Sequence, residues 1–476
     1  MERKFSTTVR MLKYSVLKEV AKSYFNGTLN KDILEIPKKI RPGKKAAMRC
    51  CIYKERAIVE ERIKLAMGGN KDNPNVIEVI DIACDDCPMG GYSVTDACRG
   101  CIAHYCKSAC RKNAITHDEN LKAHIDKTKC INCSLCAKVC PYGAIVDYKR
   151  PCEKSCIPKA ISAGEDGAAS IDNSKCTACG ACIRKCPFGA LMDKSFILPV
   201  LDILKNSENN TKYKVYALTA PSIIGQFSYA KLGQVLSGLK KLGFYDTVET
   251  ALGADITAYE ESKELAEKGV LTSSCCPAFV SFIETKYPAL KQYISHNLSP
   301  LGNIAKHIKE KDPQAKLIFI GPCTAKKMEI QQEKVKKYVD GVLTFEELQA
   351  VFDGLDIDIS SLEDLGDMDD ASYYGRVFAR SGGLTEAVRQ GLKERGFNNF
   401  QFEPVACAGL QECNAALLKL SKNVLKANFI EGMACELGCI GGAASLHKSA
   451  ENKILVDAHA KQSDKTIEGA IEKARI

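Results

Sequence analysis

The sequence predicts two architectures in one chain: a cysteine-dense α+β region of short elements, then an α/β region built on parallel sheets. Three observations predict this. Cysteines crowd between residues 84 and 186 at spacings of two and three. From Lys214 onward, short apolar strands alternate with amphipathic helices, as in parallel sheets covered on both faces. Three cysteine-bearing segments far apart in this second part place cysteine beside small or kinked residues, as a site assembled by folding requires.

The chain has 476 residues, enough for two or three domains with sizeable cores. It holds 25 cysteines and no tryptophan. Such density fits either a disulfide-rich secreted protein or a metal-rich intracellular one. Met1 to Arg10 has no apolar core of a secretory signal, and no run approaches the ~18 apolar residues of a membrane helix. The expectation is therefore a cytoplasmic protein, not membrane-bound, whose cysteines are reduced and bind metal. The net charge of +9 suits an acidic partner such as a ferredoxin, and equally a solvated basic surface. No nucleic-acid-binding motif is present.

Residues 1–75 form a basic helical segment. Leu12, Val16, Val20 and Tyr24 recur at helical spacing, predicting a surface helix over Val9 to Tyr24 and then a loop ending near Pro42-Gly43. Cys50-Cys51 opens a second helical stretch, Ala57 to Met67. Adjacent cysteines seldom share one metal, so this pair reads as structural or unliganded.

Residues 76–192 form the cluster region. Cys130, Cys133, Cys136 and Cys140-Pro141 make one complete bacterial-ferredoxin run, and Cys176, Cys179, Cys182 and Cys186-Pro187 a second. Three close thiolates wrap one 4Fe–4S cube while the fourth reaches a neighbouring cluster. Zinc ribbons need two CxxC pairs and no following proline, so they fit worse. Cys98, Cys101, Cys106 and Cys110 form a run with one longer gap. Cys152 and Cys156 look like the end of a run whose start Cys84 and Cys87 could supply. Two, four, four, two and four cysteines make sixteen, four for each of four cubanes; with Cys84 and Cys87 spare, three complete clusters remain. Two pairings stay open. Either the 130–140 and 176–186 runs share clusters, or 98–110 shares with 176–186 while 130–140 shares with Cys152 and Cys156.

Residues 193–212 read as a connector ending in a polar turn, and 213–450 as the α/β domain. Val215 to Leu218 and Lys316 to Ile320 are buried strands, and Lys231 to Leu242 is an amphipathic helix. Sites in open α/β sheets lie beyond the carboxyl ends of strands, and Cys323 sits three residues past one. Residues 451–476 read as a polar helical tail.

The three separated segments are Thr272-Ser273-Ser274-Cys275-Cys276-Pro277, Gly321-Pro322-Cys323-Thr324-Ala325-Lys326-Lys327-Met328-Glu329 and Glu431-Gly432-Met433-Ala434-Cys435-Glu436-Leu437-Gly438-Cys439. They resemble the signature motifs of the [FeFe]-hydrogenases, and the chain looks most like the monomeric group B branch. The resemblance, over roughly residues 40–450, implies ferredoxin-like 4Fe–4S domains followed by a two-lobed α/β catalytic domain. It also implies an H-cluster: Cys276, Cys323, Cys435 and Cys439 holding a 4Fe–4S part, with Cys439 bridging to a two-iron subsite that carries CO, cyanide and a dithiolate. The residues themselves agree. Cys435 and Cys439 can share one face of a helix start, Gly438, Gly441 and Gly442 allow close backbone approach, and Pro277 and Pro322 fix turns.

By the same resemblance Cys275 donates the proton, since a thiol near its usual pKa can exchange protons close to neutrality. Lys326 hydrogen-bonds a cyanide, the alternative being a surface lysine like Lys327. Glu329 belongs to this motif, and its retention fits an enzyme. Ala220-Pro221-Ser222 contacts the other cyanide, Met433 packs near the bridging CO, and Pro300 precedes Leu301. A proton route is expected through Glu264, Ser295, Glu261 and Cys275, the two glutamates lying three apart on one helical face. Cys407 and Cys413 read as core packing. Gly321, Ala278-Phe279, Leu437 and Leu301 depart from the commoner pattern and change the surroundings of the cofactor. The expected activity is reversible H2 formation with ferredoxin as carrier and maturation proteins as partners. The alternatives are a non-catalytic iron–sulfur assembly or H2-sensing relative, and one component of a larger bifurcating complex.

Overall fold

The computed structural model describes residues 5–84, 87 and 90–474. The cysteine-dense region folds as two small units of antiparallel ribbons, one inserted in the other. In the outer unit Ile77–Val79 pairs with Leu191–Asp193, and Ile161–Ala163 with Ala169–Ile171. In the inserted unit Tyr92–Val94 pairs with Ile145–Asp147, and Ile115–His117 with Ala123–Ile125. Each unit carries two one-turn helices, Pro151–Ser155 with Ala181–Lys185 in the outer and Tyr105–Ser108 with Leu135–Val139 in the inserted. Both expected pairings of cysteine runs are thereby overturned. The 98–110 run shares its unit with 130–140, and Cys84, Cys152 and Cys156 share theirs with 176–186.

The α/β domain has two lobes, each on a parallel sheet. One sheet orders Asp246–Glu249, Val215–Thr219, Lys316–Gly321 and Gly341–Thr344. The other orders Leu271–Thr272, Phe429–Met433 and Pro404–Ala408. Their strands are runs of buried apolar residues because helices cover them: Val215, Ala217, Leu218, Leu317, Ile318 and Ile320 are wholly buried. The helix Thr250–Lys268 packs on Pro300–Lys311 and Gly383–Glu394. Gly253 permits the first contact, since a Cβ there would lie 2.0 Å from the Pro300 carbonyl oxygen.

Three expected boundaries give way. The N-terminal helix, Thr8–Phe25, is no surface helix: Val16, Leu17 and Val20 are wholly buried, and it packs against Phe345–Gly354 of the α/β domain. The connector is core, its helix Ile197–Asn206 burying Ile197 and Val200 completely. The tail forms helices Asn452–Ala460 and Ile467–Glu472, which seat Val456, Ala460, Ile467 and Ala470 against the α/β domain. In the N-terminal helix and the tail the apolar residues are interleaved with charged ones, which hides the buried face in the sequence. The second helix begins at Ile52 instead of Ala57, because Cys51 caps it. No helix among the described residues is long and apolar enough to cross a membrane.

A buried ion network joins all three parts. The Lys327 ammonium pairs with Asp193 at 2.7 Å and Glu347 at 2.8 Å, and Lys13 with Asp193 at 2.5 Å and Glu346 at 2.8 Å. Lys327 is therefore wholly buried, not the surface lysine expected.

Candidate active site

Four strand ends of the α/β domain point their following loops at one cavity. Val215–Thr219 leads to Ala220-Pro221, Leu271–Thr272 to Cys275-Cys276, Lys316–Gly321 to Pro322-Cys323, and Phe429–Met433 to Ala434-Cys435. The cavity, about 100 Å³ and almost wholly apolar, is lined by Cys275, Cys276, Cys323, Cys435 and Cys439. Ala220, Pro221, Pro300, Leu301, Lys326 and Met433 complete much of its wall. Ser222 lies behind it, buried, with no hydrogen-bond partner for its hydroxyl among the described residues.

Cys276 is extended at the start of the helix Pro277–Lys286, with Pro277 at its first position. The third segment is not the expected helix start. Glu436–Cys439 is a short strand after a bend, and within it Gly438 takes a left-handed conformation, φ +71°. Gly442 lets this segment meet the second, since a Cβ there would stand 2.5 Å from Pro322. Gly321 is required by its own strand: a Cβ would lie 2.5 Å from the Phe319 ring, and that ring lines the cavity.

Cys276, Cys323, Cys435 and Cys439 are mutual neighbours. Burial, then the charges of Cys276 and Cys439, push the Cys323 thiol up to about 12, and burial and Cys276 do the same to Cys439. Buried clustered thiolates need cations, which iron supplies. No three such side chains among the described residues converge as around a single ion; these cysteines ring a cavity, as a polynuclear cluster demands. The donor set fits an iron–sulfur cofactor.

Lys326 is buried at the wall. Its ammonium donates to Ser299 Oγ at 2.9 Å and pairs with Glu329 at 2.6 Å. Burial opposes its charge, but Glu329 and then Cys323 and Cys275 outweigh burial, so the group stays cationic.

The structure brings the expected proton-route residues together. Glu261 is wholly buried. Its Oε1 accepts the Ser274 N–H and hydroxyl, both at 2.9 Å. Its Oε2 has no hydrogen-bond partner among the described residues. Burial raises its pKa to about 7, and its charge helps burial raise the Cys275 thiol. Ser295 donates to Glu264 at 2.9 Å and also lowers the Glu261 pKa by hydrogen bonding. Glu264 reaches the surface, where it meets Lys268 at 2.6 Å and exposed His296 at 2.8 Å.

Comparison with known proteins decides the family. The model of the C-terminal domain of the iron-only hydrogenase large subunit matches residues 213–443, and the 4Fe–4S binding domain matches 123–146 and 169–192. The chain is 31% identical over 376 residues to the periplasmic [Fe] hydrogenase large subunit of Nitratidesulfovibrio vulgaris, covering 67% of this chain and 85% of that one. The chain belongs to the iron-only hydrogenase family. It is also 29% identical over 311 residues to iron hydrogenase 1 of Clostridium pasteurianum, with 54% of each chain covered, so it spans about half of that relative. The cytosolic Fe–S cluster assembly factor NAR1 of Eremothecium gossypii is 33% identical over 144 residues, 28% of this chain and 32% of that protein. Among solved structures, the [FeFe]-hydrogenase HydA1 from Chlamydomonas reinhardtii superposes with a TM-score of 0.49 at 20% identity, covering 59% of this chain and 93% of that one.

This iron-only hydrogenase chain also shows where its further cysteines gather. Cys110, Cys130, Cys133 and Cys136 line one cavity of about 140 Å³. Cys106 feels the charges of Cys101 and Cys140, Cys152 those of Cys186 and Cys84, and Cys182 those of Cys179, Cys176 and Cys156. The last group adjoins the active-site cavity: Cys179 lines it, and Thr324 donates to the Ala178 carbonyl at 2.7 Å. Cys407 and Cys413 are buried, as expected of core residues.

Sequence reasoning missed Ser274, His296 and Thr250. Ser274 and His296 stand beside residues named from the sequence, so adjacency was their signal. Thr250 lines the cavity, its hydroxyl unpartnered among the described residues, and carries no motif.

Proposed function

We propose that the chain is an [FeFe]-hydrogenase of the monomeric group B type, catalysing 2H⁺ + 2e⁻ ⇌ H2. The observation that carries this reading is the juxtaposition, in one apolar cavity, of four ligand-type cysteines with a fifth thiol, Cys275, backed by buried Glu261. A purely structural cubane needs neither a spare thiol nor a carboxylate behind it.

Cys276, Cys323, Cys435 and Cys439 would hold the H-cluster, a 4Fe–4S part and a two-iron subsite with CO, cyanide and dithiolate ligands. That group, when bound, supplies the electron-rich iron at which protons and electrons combine. The protein's own part is positioning, dryness and proton delivery. Lys326, held by Ser299 and Glu329, would offer its ammonium to an anionic ligand such as cyanide, and Ala220-Pro221, with Ser222 behind them, would meet the other. Pro300, Met433 and the apolar wall exclude water. Protons would enter at Glu264, which accepts the Ser295 hydroxyl, pass to Glu261 and reach Cys275, whose thiol would present one to the cavity.

Sixteen further cysteines fit four cubanes: Cys98, Cys101, Cys106 and Cys140; Cys110, Cys130, Cys133 and Cys136; Cys84, Cys87, Cys152 and Cys186; Cys156, Cys176, Cys179 and Cys182. The last would pass electrons to the H-cluster, and ferredoxin in the cytoplasm would supply them. Loading requires hydrogenase maturation proteins. The likeness to NAR1 keeps a non-catalytic assembly role as the second reading.

H2 evolution from a reduced low-potential dye, measured on protein made with the maturation machinery, tests this. Turnover in wild type and its loss in Cys275→Ala with iron content unchanged are expected. Fully loaded wild type that evolves no H2 would leave the assembly reading.

A further inference from the structure

Outside the cluster sites, one pair of thiols stands in the open. Cys50 and Cys51 are both exposed, at the entrance to the helix Ile52–Ala66. Cys51 is the cap of that helix, in extended conformation (φ −155°, ψ 161°), and its Sγ accepts the Lys54 N–H at 3.4 Å. That hydrogen bond, aided by one from Cys50, holds the Cys51 thiol below its ordinary pKa. The surroundings favour a thiolate as well. Residues 38–56 carry eight cations (Lys38, Lys39, Arg41, Lys44, Lys45, Arg49, Lys54 and Arg56) and one carboxylate, Glu55; Lys38 and Lys39 pair with Glu35 and Glu19 outside the segment, and Arg41 with Glu55. The carboxylate is not available to the thiols. Buried Glu55 accepts the N–H groups of Ala47 at 2.7 Å and Arg49 at 3.0 Å and pairs with Arg41 at 2.5 Å.

The pair is also held in place. The clamp on Glu55 fixes the loop before it, and the Arg49 guanidinium sits 5.0 Å over the Phe188 ring and donates to the Ala83 carbonyl at 3.1 Å. A low-pKa, exposed thiol in an electropositive setting with a second thiol beside it has the features of a reactive dithiol.

We propose that Cys50 and Cys51 form a reversible thiol-oxidation site that exchanges with anionic low-molecular-weight disulfides. The Cys51 thiolate attacks one sulfur of the small disulfide, forming a mixed disulfide and expelling one thiolate. The Cys50 thiol then gives up its proton to that thiolate and attacks the Cys51 sulfur, forming the Cys50–Cys51 bond and expelling the second. The protein loses two electrons and two protons, that of Cys51 to solvent as it ionises and that of Cys50 to the first thiolate; the second thiolate takes its proton from solvent, so the small disulfide leaves as two thiols. Adjacent Cα atoms stand about 3.8 Å apart across a trans peptide, short of the ~4.4–6.8 Å usual for a disulfide, so the bond is strained and readily reduced. The cations of residues 38–56 recruit the anionic reagent.

Oxidised glutathione, added under anaerobic conditions to cluster-loaded protein and followed by peptide mapping, tests the site. Wild type is expected to yield a Cys50–Cys51 peptide lighter by its two thiol hydrogens, reversed by dithiothreitol, with iron content unchanged. Cys50→Ser is expected to stop at a stable glutathione adduct on Cys51. Cys51→Ser is expected to form its adduct on Cys50 at least ~10-fold more slowly, having lost the activated thiol. Raising ionic strength is expected to slow the wild-type reaction. Absence of the Cys50–Cys51 disulfide, equal adduct rates in the two variants, or earlier modification of Cys133 and other cluster-region cysteines would overturn the proposal.

Discussion

In the proposed mechanism the proton chemistry turns on Glu261. A carboxyl whose pKa is raised in the folded state from 4.5 to about 7 disfavours folding once it is ionised. That penalty is absent below pH 4.5 and grows as the pH rises to about 7, reaching about 3 kcal/mol. Glu261→Gln removes it while keeping an acceptor for Ser274. The variant is therefore expected to gain thermal stability relative to wild type at pH 8 and not at pH 4.5, while losing most H2 turnover because an amide cannot relay a proton by losing one. Melting curves at the two pH values check the first half, and dye-linked H2 assays the second. Lys326→Ala is expected to lower two-iron incorporation or shift the cyanide bands, and to destabilise the fold by leaving Glu329 buried without its cation. Unchanged incorporation and unchanged bands would remove it from the cofactor's contacts.

At the scale of elements, the site depends on close approach and on buried pairing. Gly253→Ala is expected to drive the Pro300–Lys311 helix away, since the new methyl would meet the Pro300 carbonyl at 2.0 Å. A loss of ~1–3 kcal/mol in denaturant unfolding is expected, with reduced activity because Pro300 lines the cavity. Lys327→Met leaves Asp193 and Glu347 without their shared cation and is expected to cost about 3–5 kcal/mol in the same measurement. The elements that carry the site were legible in the sequence. Val215–Thr219 and Lys316–Gly321 are short apolar runs between helices, and their carboxyl ends lead to motifs whose residues name the chemistry. The neighbourhood of Glu261 and Glu264 was legible because the two lie three apart on one helix. Other features were not. The strand at Glu436–Cys439, with a left-handed Gly438 inside it, is not revealed by the spacing of the cysteines. Lys327 looks like its neighbour in sequence and differs only in which side of a short helix it occupies.

At the scale of the molecule, the two cluster units are nested, and this was hidden for a physical reason. Strand pairs such as Ile77–Val79 with Leu191–Asp193 join opposite ends of the cysteine-dense region, and in ferredoxin-type ligation each run's fourth cysteine would cross to another cluster. Cys84 is drawn beside Cys152 and Cys186, so Cys84→Ser is expected to lose one cubane and to leave the inserted unit intact. Iron analysis checks the count: about 22 iron atoms are expected in fully loaded protein, four cubanes plus the six of the H-cluster. Cys84→Ser with undiminished iron would take this residue out of the ligand set. The proposed hydrogenase chemistry requires that the cavity hold a two-iron subsite, which Cys439 would help to retain. Infrared spectroscopy of maturated protein tests this most directly. CO and cyanide stretching bands are expected in wild type and in Cys275→Ala, and their loss in Cys439→Ser. Wild-type protein with its full complement of cubane iron and neither set of bands would contradict it.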